Sequence, residues 1–157
     1  MAVFEQAFAQ IIGNEGGFTS NPADPGNWTS GRPGLGQCLG TKFGISAHAY
    51  PNLDIAGLTL ADAHEIYRRD YWDRLDADKL PGPLALLVFD AAVNNGLGRA
   101  LQWLRLARRQ STGAAICAEF QAQRLTFMAS LPIWKTFGLG WSRRLCRLPY
   151  ESLNMTE

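Results

Sequence analysis

The chain has 157 residues, 46% hydrophobic and 18% charged, with a net charge of +1. That length suits a single domain with a real core, and that composition excludes a disordered chain. The small net charge hides an asymmetry: residues 1–90 hold six Lys and Arg against eleven Asp and Glu, and residues 91–157 hold nine against three. A basic half can face a polyanion, but cell wall and nucleic acid both qualify, so charge alone does not decide the partner.

Val3, Phe4, Ala7, Phe8, Ile11 and Ile12 fall on one face of a helix. Gly13 and the pair Gly16-Gly17 end it, which leaves Glu15 at its C-terminal edge. Residues 16–44 are rich in Gly and Pro and carry no helical period, so they read as a long irregular segment with short strands near Lys42–Ser46. Trp28, Leu35, Leu39 and Phe43 within it favour an ordered, partly packed loop. Thr59 with Asp62 forms an N-cap signal for a helix running to about Trp72. Pro81-Gly82-Pro83 breaks the chain, and Pro83 suits the first turn of a helix that closes at Asn94-Asn95-Gly96. Gly98–Arg109 reads as a further helix and Thr112–Ser130 as the longest. Ile133–Leu148 reads as one or two short helices around Gly138 and Gly140. The fold expected is mainly α, with six or seven helices and a loop-rich lobe after the first.

The chemistry centres on Glu15. Hydrolysis of a glycosidic bond needs one carboxylic acid to protonate the leaving oxygen and a second group to position the nucleophile. A carboxyl at a helix C-terminus, flanked by Ile12 and Phe18, feels the negative end of the helix dipole and loses hydration. Both effects raise its pKa, as a general acid near neutral pH requires. The competing reading is a solvated surface glutamate. Asp24, in an Asp-Pro-Gly turn, can serve its own backbone or hold a water opposite Glu15; these roles do not exclude each other. Thr41 carries a hydroxyl able to orient that water or to cap a turn. Tyr67, Tyr71 and Trp72 at helical spacing read mainly as core, with stacking on a sugar ring as the alternative for Tyr71. Asn94 and Asn95 either hydrogen-bond saccharide N-acetyl groups or cap their helix.

Glu15-Gly16-Gly17-Phe18, Asp24-Pro25-Gly26, Thr41-Lys42-Phe43-Gly44-Ile45, Tyr67-Arg68-Arg69-Asp70-Tyr71-Trp72 and Asp90-Ala91-Ala92-Val93-Asn94-Asn95-Gly96 together resemble glycoside hydrolase family 108. These are N-acetylmuramidases found among phage endolysins and bacterial lytic enzymes. The resemblance extends into Gln121, Arg124-Leu125 and Gly140-Trp141-Ser142-Arg143-Arg144, similar to a segment assigned in that family to peptidoglycan binding. It implies a lysozyme-like helical fold, a catalytic glutamate at Glu15 and cleavage between N-acetylmuramic acid and N-acetylglucosamine. The order Glu, Asp, Thr is also similar to that of T-even phage lysozymes, where the three line one cleft; this supports Asp24 and Thr41 by analogy. One departure stands out. Asn27–Gly40 intervenes between the Asp-Pro-Gly turn and the Thr-x-Phe-Gly-Ile step, and it either walls the cleft or displaces Thr41.

The resulting expectation is one lysozyme-like domain over residues 1–157. Residues 1–88 form a catalytic lobe, and residues 89–157 a helical part that binds peptidoglycan. The partner is the glycan strand, with electrostatic contact to the anionic envelope, no nucleic acid, and a monomeric protein. No cofactor is expected. His48 and His64 form no Cys/His cluster for a zinc amidase, and nothing marks Cys38 as an activated thiolate. Cys38, Cys117 and Cys146 are widely spaced, against a disulfide framework and in favour of a reducing compartment. No apolar run approaches the ~18 residues of a membrane span. The N-terminus shows no signal-peptide pattern, which makes synthesis in the cytoplasm and passage through a separate pore the expected route. The rivals are a lytic transglycosylase and a non-catalytic wall-binding module.

Overall fold

The computed structural model describes residues 3–13, 17–153 and 155. They form six α-helices and one two-stranded sheet: α1 (Val3–Ile12), β1 (Thr41–Lys42), β2 (Ile45–Ser46), α2 (Leu60–Tyr67), α3 (Gly82–Asn95), α4 (Leu97–Ala107), α5 (Gly113–Ala129) and α6 (Trp134–Ser152). The mainly α expectation holds. The chain divides into two compact units, Met1–Ala7 with Arg68–Glu157, and Phe8–Tyr67. None of the described helices is long and apolar enough to cross a membrane.

The larger unit is built around α3. No residue from Leu84 to Ala92 turns to solvent: Leu84, Ala85, Leu86, Leu87, Val88, Phe89, Asp90, Ala91 and Ala92 are all buried. A helix that is apolar on all sides can only be stable when neighbours surround it, and α4, α5 and α6 all pack on it. Phe4, from the first turns of α1, adds an aromatic cluster with Trp72 at 5.2 Å and Phe89 at 5.9 Å between ring centroids, and Trp72 meets Phe89 edge-on at 5.3 Å. Trp72 satisfies its indole N–H on Asp78 at 2.8 Å, which removes the main cost of burying it.

Two expectations about helices need correction. The helix opening at Thr59 does carry its cap: Asp62 accepts from the Thr59 amide at 2.8 Å, and the Asp62 amide donates to Thr59 Oγ1 at 3.1 Å. Its α-helical part stops at Tyr67, however, and Arg68–Trp72 continues as a wider π-helical turn. The second correction is α6. It is one helix of 19 residues, longer than the 17-residue α5, rather than short pieces around Gly138 and Gly140. Gly138 is there for space: a Cβ would come within 2.7 Å of the Trp134 ring, which in turn neighbours Trp141 at 6.0 Å. Packing of Leu145 and Leu148 in the core offsets the roughly 1 kcal/mol that each helical glycine costs. Pro149, inside the last turns, has no N–H for the carbonyl four residues earlier. That carbonyl, Leu145 O, instead accepts from Gln121 Nε2 of α5 at 2.9 Å. A side chain from the neighbouring helix thus completes the hydrogen bond that proline removes.

The smaller unit is loop-rich. Phe8 packs edge-on against His64 at 5.0 Å and Tyr67 at 5.8 Å, and Ile45, Ala47, Ile55, Leu58, Ala63 and Ile66 complete its core.

Candidate active-site loop

The short strands expected near Lys42–Ser46 are a hairpin, with Thr41 opposite Ser46 and Lys42 opposite Ile45. Its two-residue turn is Phe43-Gly44, both at positive φ, +52° and +77°. That is the mirror-image turn whose twist matches a right-handed ribbon. Phenylalanine is strained there. Tyr67 Oη donates to the Phe43 carbonyl at 3.0 Å, and the Lys42 ammonium lies 5.5 Å from the Phe43 ring centroid. The Thr-x-Phe-Gly-Ile motif therefore encodes a turn held from below by a tyrosine.

β1 is joined on its other edge to the segment following the Glu-Gly-Gly motif. Thr19 and Thr41 exchange both backbone hydrogen bonds, at 2.9 and 2.8 Å. Gly40 makes this approach possible, since a Cβ there would lie 2.5 Å from the Thr19 carbonyl and from the Phe18 ring. Glu15 itself lies outside the described residues.

Asp24 makes the turn that its sequence suggested. Its Oδ1 accepts from the Gly26 amide at 2.8 Å, and its carbonyl accepts from the Asn27 amide at 3.2 Å, opening a single 3-10 turn, Pro25–Asn27. The carboxylate is exposed, and among the described residues Oδ2 has no partner. Thr41 Oγ1 donates to Asn27 Oδ1 at 2.7 Å. With its proton committed, the Thr41 hydroxyl has only lone pairs to offer.

Asn27 is the residue that sequence reasoning missed. It is completely buried, and each of its polar groups is used. Nδ2 donates to the Asn21 carbonyl at 3.0 Å, Oδ1 accepts from Thr41, the amide donates to Asp24, and the carbonyl accepts from the Gly40 amide at 3.1 Å. An asparagine just after Asp-Pro-Gly looks like turn chemistry, so the sequence held no signal of its burial. Asn27 also resolves one question about the Asn27–Gly40 insertion. The two ends of the insertion meet at the Asn27–Gly40 hydrogen bond, Trp28 pairs with Cys38, and the Trp28 indole N–H donates to the Pro22 carbonyl at 2.9 Å. The insertion closes on itself and returns Thr41 to the Asp24 turn, so Thr41 is not displaced from it.

The other predicted site residues lie in the larger unit. Tyr71 is half-buried, whereas Tyr67, in the smaller unit, and Trp72 are core, as expected. Asn94 Nδ2 donates to the Asp90 carbonyl at 2.8 Å, and Asn95 Oδ1 accepts from Arg124 Nε at 2.8 Å. Both asparagines therefore border an ionic cluster that the sequence did not announce. Asp90 and Arg124 are fully buried, with Arg124 Nη1 2.7 Å from Asp90 Oδ2, and Arg144 closes on the same carboxylate through Nε at 3.0 Å and through Nη2. Arg144, in the segment that resembles the family's peptidoglycan-binding region, is a structural partner of Asp90. Burial draws the Arg124 pKa downward, with Asp90 opposing and Arg144 adding to the effect.

Among the described residues no three His, Cys, Asp or Glu side chains are grouped to hold a metal ion, and the three cysteines are free thiols. No curated protein sequence matches the chain. Among solved structures, the one titled "Structure of Brucella abortus SagA" is similar, at 26% identity and a TM-score of 0.77 over 96% of this chain and 93% of that one. The family described as Glycosyl hydrolase 108 matches residues 8–96, the stretch that holds Glu15, Asp24, Asn27, Thr41 and the two asparagines. That match covers more than half of the sequence, and the chain belongs to the glycosyl hydrolase 108 family, whose activity at family level is glycoside hydrolysis.

Proposed function

We propose that the protein is a peptidoglycan hydrolase, an N-acetylmuramidase that cleaves the β-1,4 bond between N-acetylmuramic acid and N-acetylglucosamine. The observation that carries this reading is the join made by Asn27 between the Asp24 turn and Thr41, inside the family-matched segment that also contains Glu15. In the proposed mechanism Glu15 gives its proton to the leaving glycosidic oxygen. Thr41, able only to accept, takes one hydrogen of a water molecule, and Asp24 accepts the other through Oδ2. The water lone pair then points away from both, towards the anomeric carbon. As the new C–O bond forms, Asp24 takes the water proton. This arrangement inverts the anomeric centre and calls for carboxyls about 6.5–9.5 Å apart.

Delivery to the wall through a separate pore, as in a phage endolysin with cytolytic and antimicrobial action, belongs to the same proposal. The basic half of the chain supports electrostatic contact with an anionic envelope. One observation favours a second reading. Asp24 Oδ1 is engaged by its own turn, which suits a lytic transglycosylase that relies on a lone glutamate. Mass spectrometry of digested sacculi separates the two. Muropeptides ending in reducing muramic acid support hydrolysis, and 1,6-anhydro ends overturn it. Protein that sediments with sacculi and releases no soluble fragments would make it a wall-binding module.

A further inference from the structure

Leu80, with Leu84 and Leu87 of α3, floors a trough of about 690 Å³ in the larger unit, and all three are buried. Ala114, Cys117 and Ala118 line it from α5, spaced so that they share one side of that helix. Their short side chains leave open a space that leucine or phenylalanine would fill. Leu153, where α6 ends, also lines the trough. It is 76% exposed, the most exposed large hydrophobic side chain among the described residues. Asp90, Arg124 and Arg144 do not belong to this lining.

These walls offer little to a sugar or a peptide. Pro81, Pro83 and Pro149 line the trough and have no N–H to donate. Gln121 and Ser152, which also line it, already donate within the protein, to the Leu145 carbonyl at 2.9 Å and the Pro149 carbonyl at 2.7 Å. Hydroxyl groups placed there would give up water without an equivalent return. Burial pushes the Cys117 thiol pKa up, in keeping with an apolar wall. The charged residues of the described lining are Lys79 and Arg108, both cationic. Lys79 is paired with Asp76 at 2.9 Å, whereas Arg108 makes no ion pair among the described residues. Hydrocarbon walls thus meet one uncompensated positive charge, in a space of the size that holds a small ligand.

We infer that this trough binds a single-chain alkyl carboxylate, with the chain against Leu84, Leu87 and Leu153 and the head group on Arg108. The two halves of the ligand answer the two halves of the site. A neutral chain leaves Arg108 unanswered, and a cationic head group is repelled by it. The inference does not rest on peptidoglycan hydrolysis.

Calorimetric titration of the whole protein with hexanoate, octanoate, decanoate, decyltrimethylammonium and decyl maltoside, each below its micelle threshold, tests this. From hexanoate to decanoate each added methylene should tighten binding about four-fold. Decanoate should bind more tightly than either ten-carbon comparison, and added salt should weaken it and not the maltoside. Arg108→Gln should lower decanoate affinity about three-fold, the modest effect of an exposed charge, and leave the maltoside unchanged. Ala118→Phe, at an exposed position, fills the trough and should abolish binding. Decanoate should raise the melting midpoint of the parent and not that of Ala118→Phe. Backbone NMR signals of Ala114, Cys117, Ala118 and Leu153 should move on binding. Affinity independent of chain length, an ammonium that binds as tightly as the carboxylate, signals that move elsewhere, or no saturable binding would each overturn the inference. So would a dimer in sedimentation that hides these signals and that decanoate does not dissociate, because the trough would then belong to a second copy.

Discussion

Replacing Asn27 with alanine tests how the candidate active-site loop is held. The substitution removes the acceptor of Thr41 Oγ1 and the donor to the Asn21 carbonyl, and it leaves a polar-lined void at a fully buried position. Two hydrogen bonds at about 1 kcal/mol each, plus part of the desolvation cost of a carbonyl left unpaired, give about 2–3 kcal/mol. For a chain of this size that lowers the melting midpoint by about 4–12 °C. Thr41 regains a free hydroxyl proton, and the tie from the Asp24 turn through Asn27 to the Asn21 carbonyl and Thr41 is lost, so turnover should fall by more than the unfolded fraction explains. Circular dichroism melts, and sacculus-clearing rates measured well below the midpoint, check this. A midpoint within a degree of the parent, or clearing at the parental rate, would refute the idea that Asn27 holds Asp24 and Thr41 in register.

The Gln121 bond to Leu145 should appear as a coupled pair with Pro149. Gln121→Leu is expected to destabilise by about 1–3 kcal/mol, because it orphans a buried carbonyl. Adding Pro149→Ala restores the missing backbone donor and should recover most of the loss, and an additive double mutant in urea titrations would show that no such exchange exists. At the start of α2, hydrogen bonds from the Thr59 hydroxyl and amide hold the Asp62 carboxyl below its ordinary value of 3.8. A depressed acid stabilises the folded form above its unfolded pKa, and that contribution fades as pH falls through the folded value. NMR titration should place Asp62 below 3.8 and move it upward in Thr59→Ala, which removes the hydroxyl donor and keeps the amide; no difference between the two proteins would contradict the cap.

Much of this architecture was legible beforehand. The 3.6-residue spacing of Val3 to Ile12, the Thr59–Asp62 cap, and the Pro83 start and Asn94-Asn95-Gly96 close of the following helix are local signals, and each produced the expected helix. α6 was not legible, because its glycines and proline read as breaks until Trp134 fills the space beside Gly138 and Gln121 answers for Pro149. Asp24 as a turn-former followed from its neighbours. Asn27 did not, since its partners at Asn21, Gly40 and Thr41 are spread across the irregular segment and meet only in the fold. The Asp90 cluster was hidden for the same reason: Asp90, Arg124 and Arg144 sit on three helices, and nothing in a single helical pattern reveals a shared carboxylate.

The most direct measurement is the hydrolysis rate of Glu15→Gln on purified peptidoglycan, beside the parent protein at matched folded fraction. The amide keeps shape and hydrogen bonding but has no proton to give, so the account predicts a loss of about 10²–10⁴-fold in turnover with sacculus binding retained. A variant that releases reducing ends as fast as the parent would contradict it.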